Sequence, residues 1–265
     1  MPMIGAIVGD IVGSRFEFNN NRSKFFVLFD STCGPTDDSI MTISIMDAIL
    51  KAGGDIDKLG ECAVKSMREI GQHYPDCGFG GRFYDWMFSD DPKPYGSYGN
   101  GAAMRVSPVA YFAKDIEDAK KMSKAVTEVT HNHPEGIKGA ECTAVCVWAA
   151  LHNWSKEEIE ELAKTYYDLD FTLDEIRDTY KFNETCQRTV PQAIEAFLES
   201  TDFEDAIRNA ISIGGDSDTV AAITGAVAGA FYGVPDDIRV KATTYLDKRL
   251  SSILRATEES YTAFK

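Results

Sequence analysis

The chain has 265 residues, 44% of them hydrophobic, and a formal net charge of −15 at pH 7. That is long enough for one domain over 1–265 with a sizeable core, and acidic enough to repel phosphate backbones, which excludes an extended nucleic-acid surface. The longest stretch near the second acidic motif without a charge, Thr219 to Pro235, falls short of the roughly 20 residues that span a bilayer, so no membrane partner is expected.

Met3 to Gly9 is apolar, but it has no basic leader and meets Asp10 at once, unlike a signal peptide. Glu17 follows a glycine-containing turn and precedes Phe18-Asn19-Asn20-Asn21, a composition that predicts an exposed carboxylate on a mobile loop, able to close over a substrate. Lys24 to Phe29 is the one run that can be extended. Helical patterning then predicts helices over 37–52, 57–72, 101–113, 115–130, 135–152, 155–166, 189–199, 203–213, 217–232 and 235–256. Tyr74 to Tyr98, rich in Gly, Pro, Asp and aromatics, reads as a long loop bordering a cleft. Ser155 and Glu158 form a capping box, so the glutamates at 157, 158, 160 and 161 are a solvated helix face. The fold class is all-α, a compact single-domain bundle of many helices. Six cysteines without a CxxC pair suit reduced thiols and a cytoplasmic location.

Two short acidic clusters carry the chemistry. Thr36-Asp37-Asp38 opens one predicted helix, and about 180 residues further on Asp216-Ser217-Asp218-Thr219 opens another after Gly214-Gly215. Carboxylates in a first turn are stabilised by free N–H groups and the helix dipole, so capping alone is compatible with either cluster. A cap needs only one acid, and each cluster has two beside a threonine hydroxyl. Such oxygen-rich groups also suit hard divalent ions such as Mg²⁺ or Mn²⁺.

Five blocks in fixed order resemble the ADP-ribosylglycohydrolase family, which includes dinitrogenase reductase-activating glycohydrolase and the vertebrate ADP-ribosylhydrolases. They are Gly5 to Asp10 leading to Gly13-Ser14-Arg15-Phe16-Glu17; Thr36 to Ser39; Gly96 to Arg105; Thr130-His131; and Ser212 to Ala222. The resemblance implies helices around a central dinuclear metal cleft and hydrolysis of the bond between ADP-ribose and an acceptor, with an ADP-ribosylated protein or small molecule as partner. It implies Thr36, Asp37, Asp38, Asp216, Asp218 and Thr219 as ligands of two Mg²⁺ or Mn²⁺ ions, and Ser97, Tyr98, Gly99, Asn100, Gly101 and His131 as the ADP-ribose contacts. Glu17, Asp37, Asp38 and Asp216 are the catalytic candidates, and which of them is the general base stays open. The expected state is a monomer. A non-catalytic ADP-ribose binder and a dinuclear metal phosphohydrolase acting on nucleotide diphosphates are the alternatives.

The remaining motif residues have plainer readings. Free N–H groups at the helix start around Asn100 and Gly101 can receive phosphate oxygens. Arg105 is a structural support, Asp10 a cap or a support behind the ligands, and His133 a helix-start residue before Pro134. Ala221, Gly225 and Gly229 recur every four positions and predict close approach of another helix.

Overall fold

The computed structural model describes residues 2–264 and is all-helical, with no strand among them and one isolated bridge between Gly99 and Thr185. The helices are α1 (Gly5–Gly13), α2 (Asp37–Ala52), α3 (Ile56–Gly71), α4 (Gly81–Phe88), α5 (Gly101–Met104), α6 (Pro108–Phe112), α7 (Ile116–Thr127), α8 (Pro134–Leu151), α9 (Lys156–Lys164), α10 (Leu173–Ile176), α11 (Cys186–Leu198), α12 (Phe203–Ser212), α13 (Ser217–Tyr232), α14 (Asp236–Thr243) and α15 (Lys248–Phe264). No helix among the described residues is long and apolar enough to cross a membrane.

The core is organised around α13, buried from Ser217 to Gly229 and packed by α1, α8, α11 and α12. Its small-residue stripe meets a matching stripe on α1. A Cβ on Gly5 would lie 2.1 Å from the Gly225 carbonyl oxygen, one on Gly9 1.9 Å from that of Ala221, and one on Gly13 2.5 Å from the Asp218 Cα. The two helices therefore touch backbone to backbone, a separation that no larger residue permits.

α1 escapes the sequence reading for a physical reason. Every one of its residues is buried, so it shows no amphipathic period, and Ile4 at its N-cap makes no side-chain cap bond. Three further differences have local causes. The helix expected over 101–113 breaks into α5 and α6 because Pro108, at the first position of α6, has no N–H to continue the turn. The one expected over 235–256 breaks at 244–247, where the Asp247 carboxylate accepts from Leu250 N at 2.9 Å and starts α15 afresh. α4 lies inside the expected 74–98 loop, opening from Gly80 without a side-chain cap.

Residues 24–29 are irregular rather than a strand. Arg208 on α12 donates to the carbonyls of Lys24 (2.8 Å) and Phe26 (2.9 Å), which spends there the groups a sheet would use. The segment expected to be mobile around Glu17 is likewise fastened. Asn20 accepts from Gly215 N and donates to Gly215 O, both at 2.8 Å, and Arg22 donates to Ile213 O and Tyr180 O. The Asn20 anchor sits on the turn formed by Gly214 and Gly215, whose φ of 68° and 79° suit glycine.

The α1–α13 seam gives a direct test. Gly9→Ala forces a Cβ into backbone and should cost more than about 3 kcal/mol in urea unfolding, the upper end of overpacking penalties. Gly34→Ala, with nothing within 4 Å of its added Cβ, should change stability by less than about 1 kcal/mol. Equal, small effects at both positions would refute the close seam.

Candidate functional site

The two acidic clusters sit at helix starts, as their sequences predict. Thr36 is the N-cap of α2, with Asp37 and Asp38 in the first turn, and Asp216 is the N-cap of α13, with Asp218 in its first turn. Folding brings them together. One oxygen each from Asp10, Asp38 and Asp218 lies within 4.8 Å of the others, and so does one each from Glu17, Asp216 and Asp218.

The two threonines tie the clusters across the centre. Thr219 Oγ1 donates to Asp38 Oδ2 at 3.2 Å, and Thr36 Oγ1 donates to Asp10 Oδ1 at 2.6 Å while lying 3.5 Å from Asp218 Oδ2. Asp10 also accepts from Thr36 N at 2.9 Å and Ser39 N at 3.0 Å. With its oxygens so occupied, Asp10 fastens α1 to the start of α2. Asp38 Oδ1, by contrast, is buried with no hydrogen-bond partner, in a molecule where buried polar atoms are nearly always satisfied.

The carboxylates are buried and mutually repulsive. Asp38, Asp216 and Asp218 are only 2%, 5% and 3% exposed, so the cluster is an interior one. Burial first, and then the neighbouring charges, hold the carboxyls of Asp37, Asp38 and Asp218 well above the usual carboxylate range. Glu17, read from sequence as an ordinary exposed acid, is instead partly buried, and desolvation with the charges of Asp216 and Asp10 pushes it up to about 7. The ion pairs of the described residues lie elsewhere, such as Arg15–Asp30 and Arg239–Glu258, so none involves the cluster, and the buried Arg105 acts on Asp37 only through its charge.

These residues form one wall of a cleft of about 390 Å³. Ser97, Tyr98, Gly99, Asn100, Gly101 and His131 line the same space; of the acidic-cluster residues Asp10, Thr36 and Ser217 lie behind the wall. Asn100 Nδ2 donates to Asp216 Oδ2 at 2.6 Å and thereby aims that carboxylate. Of the N–H groups around α5, those of Asn100, Ala102 and Ala103 are taken, donating to the carbonyls of Glu184, Gly99 and Asn100. His131 is buried and held neutral, its pKa pushed well down by desolvation and then by Arg105 and Arg82. Its Nδ1 lies 2.8 Å from Thr130 Oγ1, which accepts from Arg105 Nη2 at 2.6 Å. Arg105 thus supports the His131 turn, and His133 caps α8 by accepting from Glu135 N at 3.1 Å.

The sequence reading placed the 74–98 segment beside the cleft without singling out Arg82, Phe83 or Tyr95, and it missed Phe182 and Glu184 entirely. The Gly78-Phe79-Gly80-Gly81 run was an available signal for the first group. Nothing in one dimension ties 182–184 to the clusters; the Gly99–Thr185 bridge does so in space.

The ADP-ribosylglycohydrolase family profile matches residues 2–262. ADP-ribosylhydrolase ARH3 of Mus musculus is 25% identical over 88% of this chain and 83% of its own length. ADP-ribosylarginine hydrolase Tri1 of Pseudomonas putida (strain GB-1) is 26% identical over 88% of this chain and 70% of its own length. A solved structure described as an ADP-ribosylglycohydrolase-related protein complex superposes with a TM-score of 0.70 at 22% identity, over 97% of this chain and 95% of that one, which shows a shared fold.

The electrostatics predict how the metal-free protein responds to pH. Carboxyls whose folded pKa exceeds the unfolded value keep protons that the unfolded chain releases, so stability should fall as pH rises from the ordinary carboxylate range toward those raised values. In EDTA the melting temperature should therefore be lower at pH 8 than at pH 5.5, and Asp218→Asn should reduce the difference. An unchanged pH response in that variant would show that the cluster is not the source.

Proposed function

The chain belongs to the ADP-ribosylglycohydrolase family, and on that premise we propose that it is a divalent-metal-dependent hydrolase cleaving the glycosidic bond between ADP-ribose and an acceptor. The observation that carries this reading is the convergence of two distant acidic clusters on one cleft with a buried, unpartnered Asp38 Oδ1. The donor set fits a hard ion: it is all oxygen, charged, and in no ion pair among the described residues.

Thr36, Asp37, Asp38, Asp216, Asp218 and Thr219 would hold the metal, as two Mg²⁺ or Mn²⁺ ions given the number of carboxylates. Bound there, the ions would offset the cluster's charge and polarise the oxygens of the ribose and the attacking water. The chain's own groups supply the rest. Asn100 keeps Asp216 aimed at the cleft. His131, neutral and braced at Nδ1, has Nε2 left to hydrogen-bond ADP-ribose, with Ser97, Tyr98, Gly99, Asn100 and Gly101 lining the same cavity.

Hydrolysis needs a group to take the proton of the attacking water while the acceptor departs with one. Glu17, with a carboxyl raised to about 7, can exchange a proton at neutral pH, so it is our first choice; Asp37, Asp38 and Asp216 are the other candidates. All six cysteines are free, which suits a reducing, cytoplasmic setting, and a monomer contains every group this reading needs.

Two measurements test the reading. With Mg²⁺ or Mn²⁺ and an ADP-ribosylated peptide, the product should be free ADP-ribose; AMP would point to pyrophosphate cleavage, and tight ADP-ribose binding without turnover to a non-catalytic binder. Asp218→Asn should abolish this turnover. Glu17→Gln should lower single-turnover rates by about a hundredfold or more, the usual scale for a lost proton-transfer group, with a much smaller change in calorimetric ADP-ribose affinity. Parallel losses in both would make Glu17 a binding residue only.

A further inference from the structure

The cleft wall is electrically uneven. Beside Tyr95 and His131 it carries Arg82, an exposed cation whose guanidinium lies 4.8 Å from the Tyr95 ring centroid. Near Glu17 and Asp216 it carries Glu184, an exposed carboxylate whose charge acts on both of them and which forms no ion pair among the described residues. Next to that acid is an aromatic pair. Phe182 lines the cleft and stacks on Phe18, with ring centroids 6.0 Å apart and planes 27° from parallel.

This pair is not part of the core. Phe182, which lines the cleft, is 41% exposed, and Phe18, which stacks on it from outside the lining, is 84% exposed; exposed rings placed together beside a cavity commonly mark contact with a ligand. Charge decides which portion of a substrate meets them. With the ions offsetting the cluster, Glu184 remains the uncompensated acid that repels a diphosphate while Arg82 attracts it, so the group that emerges past Phe182 and Glu184 is the acceptor. A planar cation matches such a surface, because a guanidinium can stack on a ring face while its N–H groups reach a carboxylate.

Building on the hydrolase reading above, we propose that Phe18, Phe182 and Glu184 form the acceptor side of the cleft and select an arginine side chain linked through its guanidinium over a neutral hydroxyl acceptor such as serine. In the reaction the water oxygen bonds to C1 of the ribose, the C1–N bond breaks, one water proton goes to the departing nitrogen, and the products are free ADP-ribose and arginine. Phe182 and Glu184 recognise the acceptor and take no part in the bond changes.

The test uses the full chain with Mg²⁺ or Mn²⁺ and two peptides of otherwise identical sequence, one ADP-ribosylated on arginine and one on serine, with release of free ADP-ribose as the readout. The arginine conjugate should have the higher kcat/KM. In the Phe182→Ala/Glu184→Gln double variant that preference should fall about tenfold, the combined scale of one exposed cation–π contact and one charge-assisted bond, mainly through a higher KM for the arginine conjugate. Because both side chains are exposed, the variant should melt as the parent does. Faster release from serine, or a preference that survives the double substitution, would overturn the acceptor assignment while leaving the hydrolase reading intact. Release from neither conjugate would sink both.

Discussion

Backbone contact between α1 and α13 is the constraint on which the site rests. Glycine at positions 5, 9 and 13 lets α1 lie directly on α13, and Asp10 follows Gly9 while Asp218 backs on Gly13. The seam therefore sets the distance between Asp10 and Asp218. Asp10 in turn receives Thr36 and Ser39, which fixes where α2 starts and where Asp37 and Asp38 point. A helix pair held at the roughly 8–10 Å of ordinary side-chain packing would pull Asp10 away from Asp218 and open the group whose oxygens gather within 4.8 Å.

The arrangement works against the stability of the metal-free chain. Capping explains why each acid is tolerated at its own helix start, since free N–H groups and the helix dipole favour a carboxylate there. It does not account for six acids in one region, with Asp38 Oδ1 unpartnered and no arginine or lysine of the described residues in an ion pair with any of them. Proteins keep such costly groups where function requires them, and here the cost is concentrated at the ends of rigid helices instead of being spread through loops. One geometry thus serves capping and would serve cation binding: the helix ends position the acids, and their crowding favours a positive charge among them.

Much of this was legible from the chain. The doublets at 37–38 and 216–218, the glycine turn before the second, and the small-residue stripe on α13 could all be read because each is a local pattern with a local cause. α1 could not, because uniform burial erases the period that reveals a helix. The state of Glu17 was also hidden: its Asn-rich neighbourhood suggests mobility, yet Asn20 spends its amide on Gly215, far away in sequence. Phe182 and Glu184 had no sequence signal at all, since their importance comes from the bridge that brings 185 to 99.

The two sides of the cleft are held by different kinds of interaction. The carboxylate floor is built from helix starts locked by the α1–α13 seam, whereas the segment from Glu17 to Phe29 is attached by side chains reaching to backbone carbonyls, as Asn20, Arg22 and Arg208 do. A substitution in the floor disturbs the core, but one in the rim disturbs only a few polar anchors. Acceptor recognition can therefore change by altering residues such as Phe18, Phe182 or Glu184 while the floor stays as it is. The same division separates what helix packing sets from what it leaves free: the floor is set by the α1–α13 seam, and the rim by side chains that packing does not constrain.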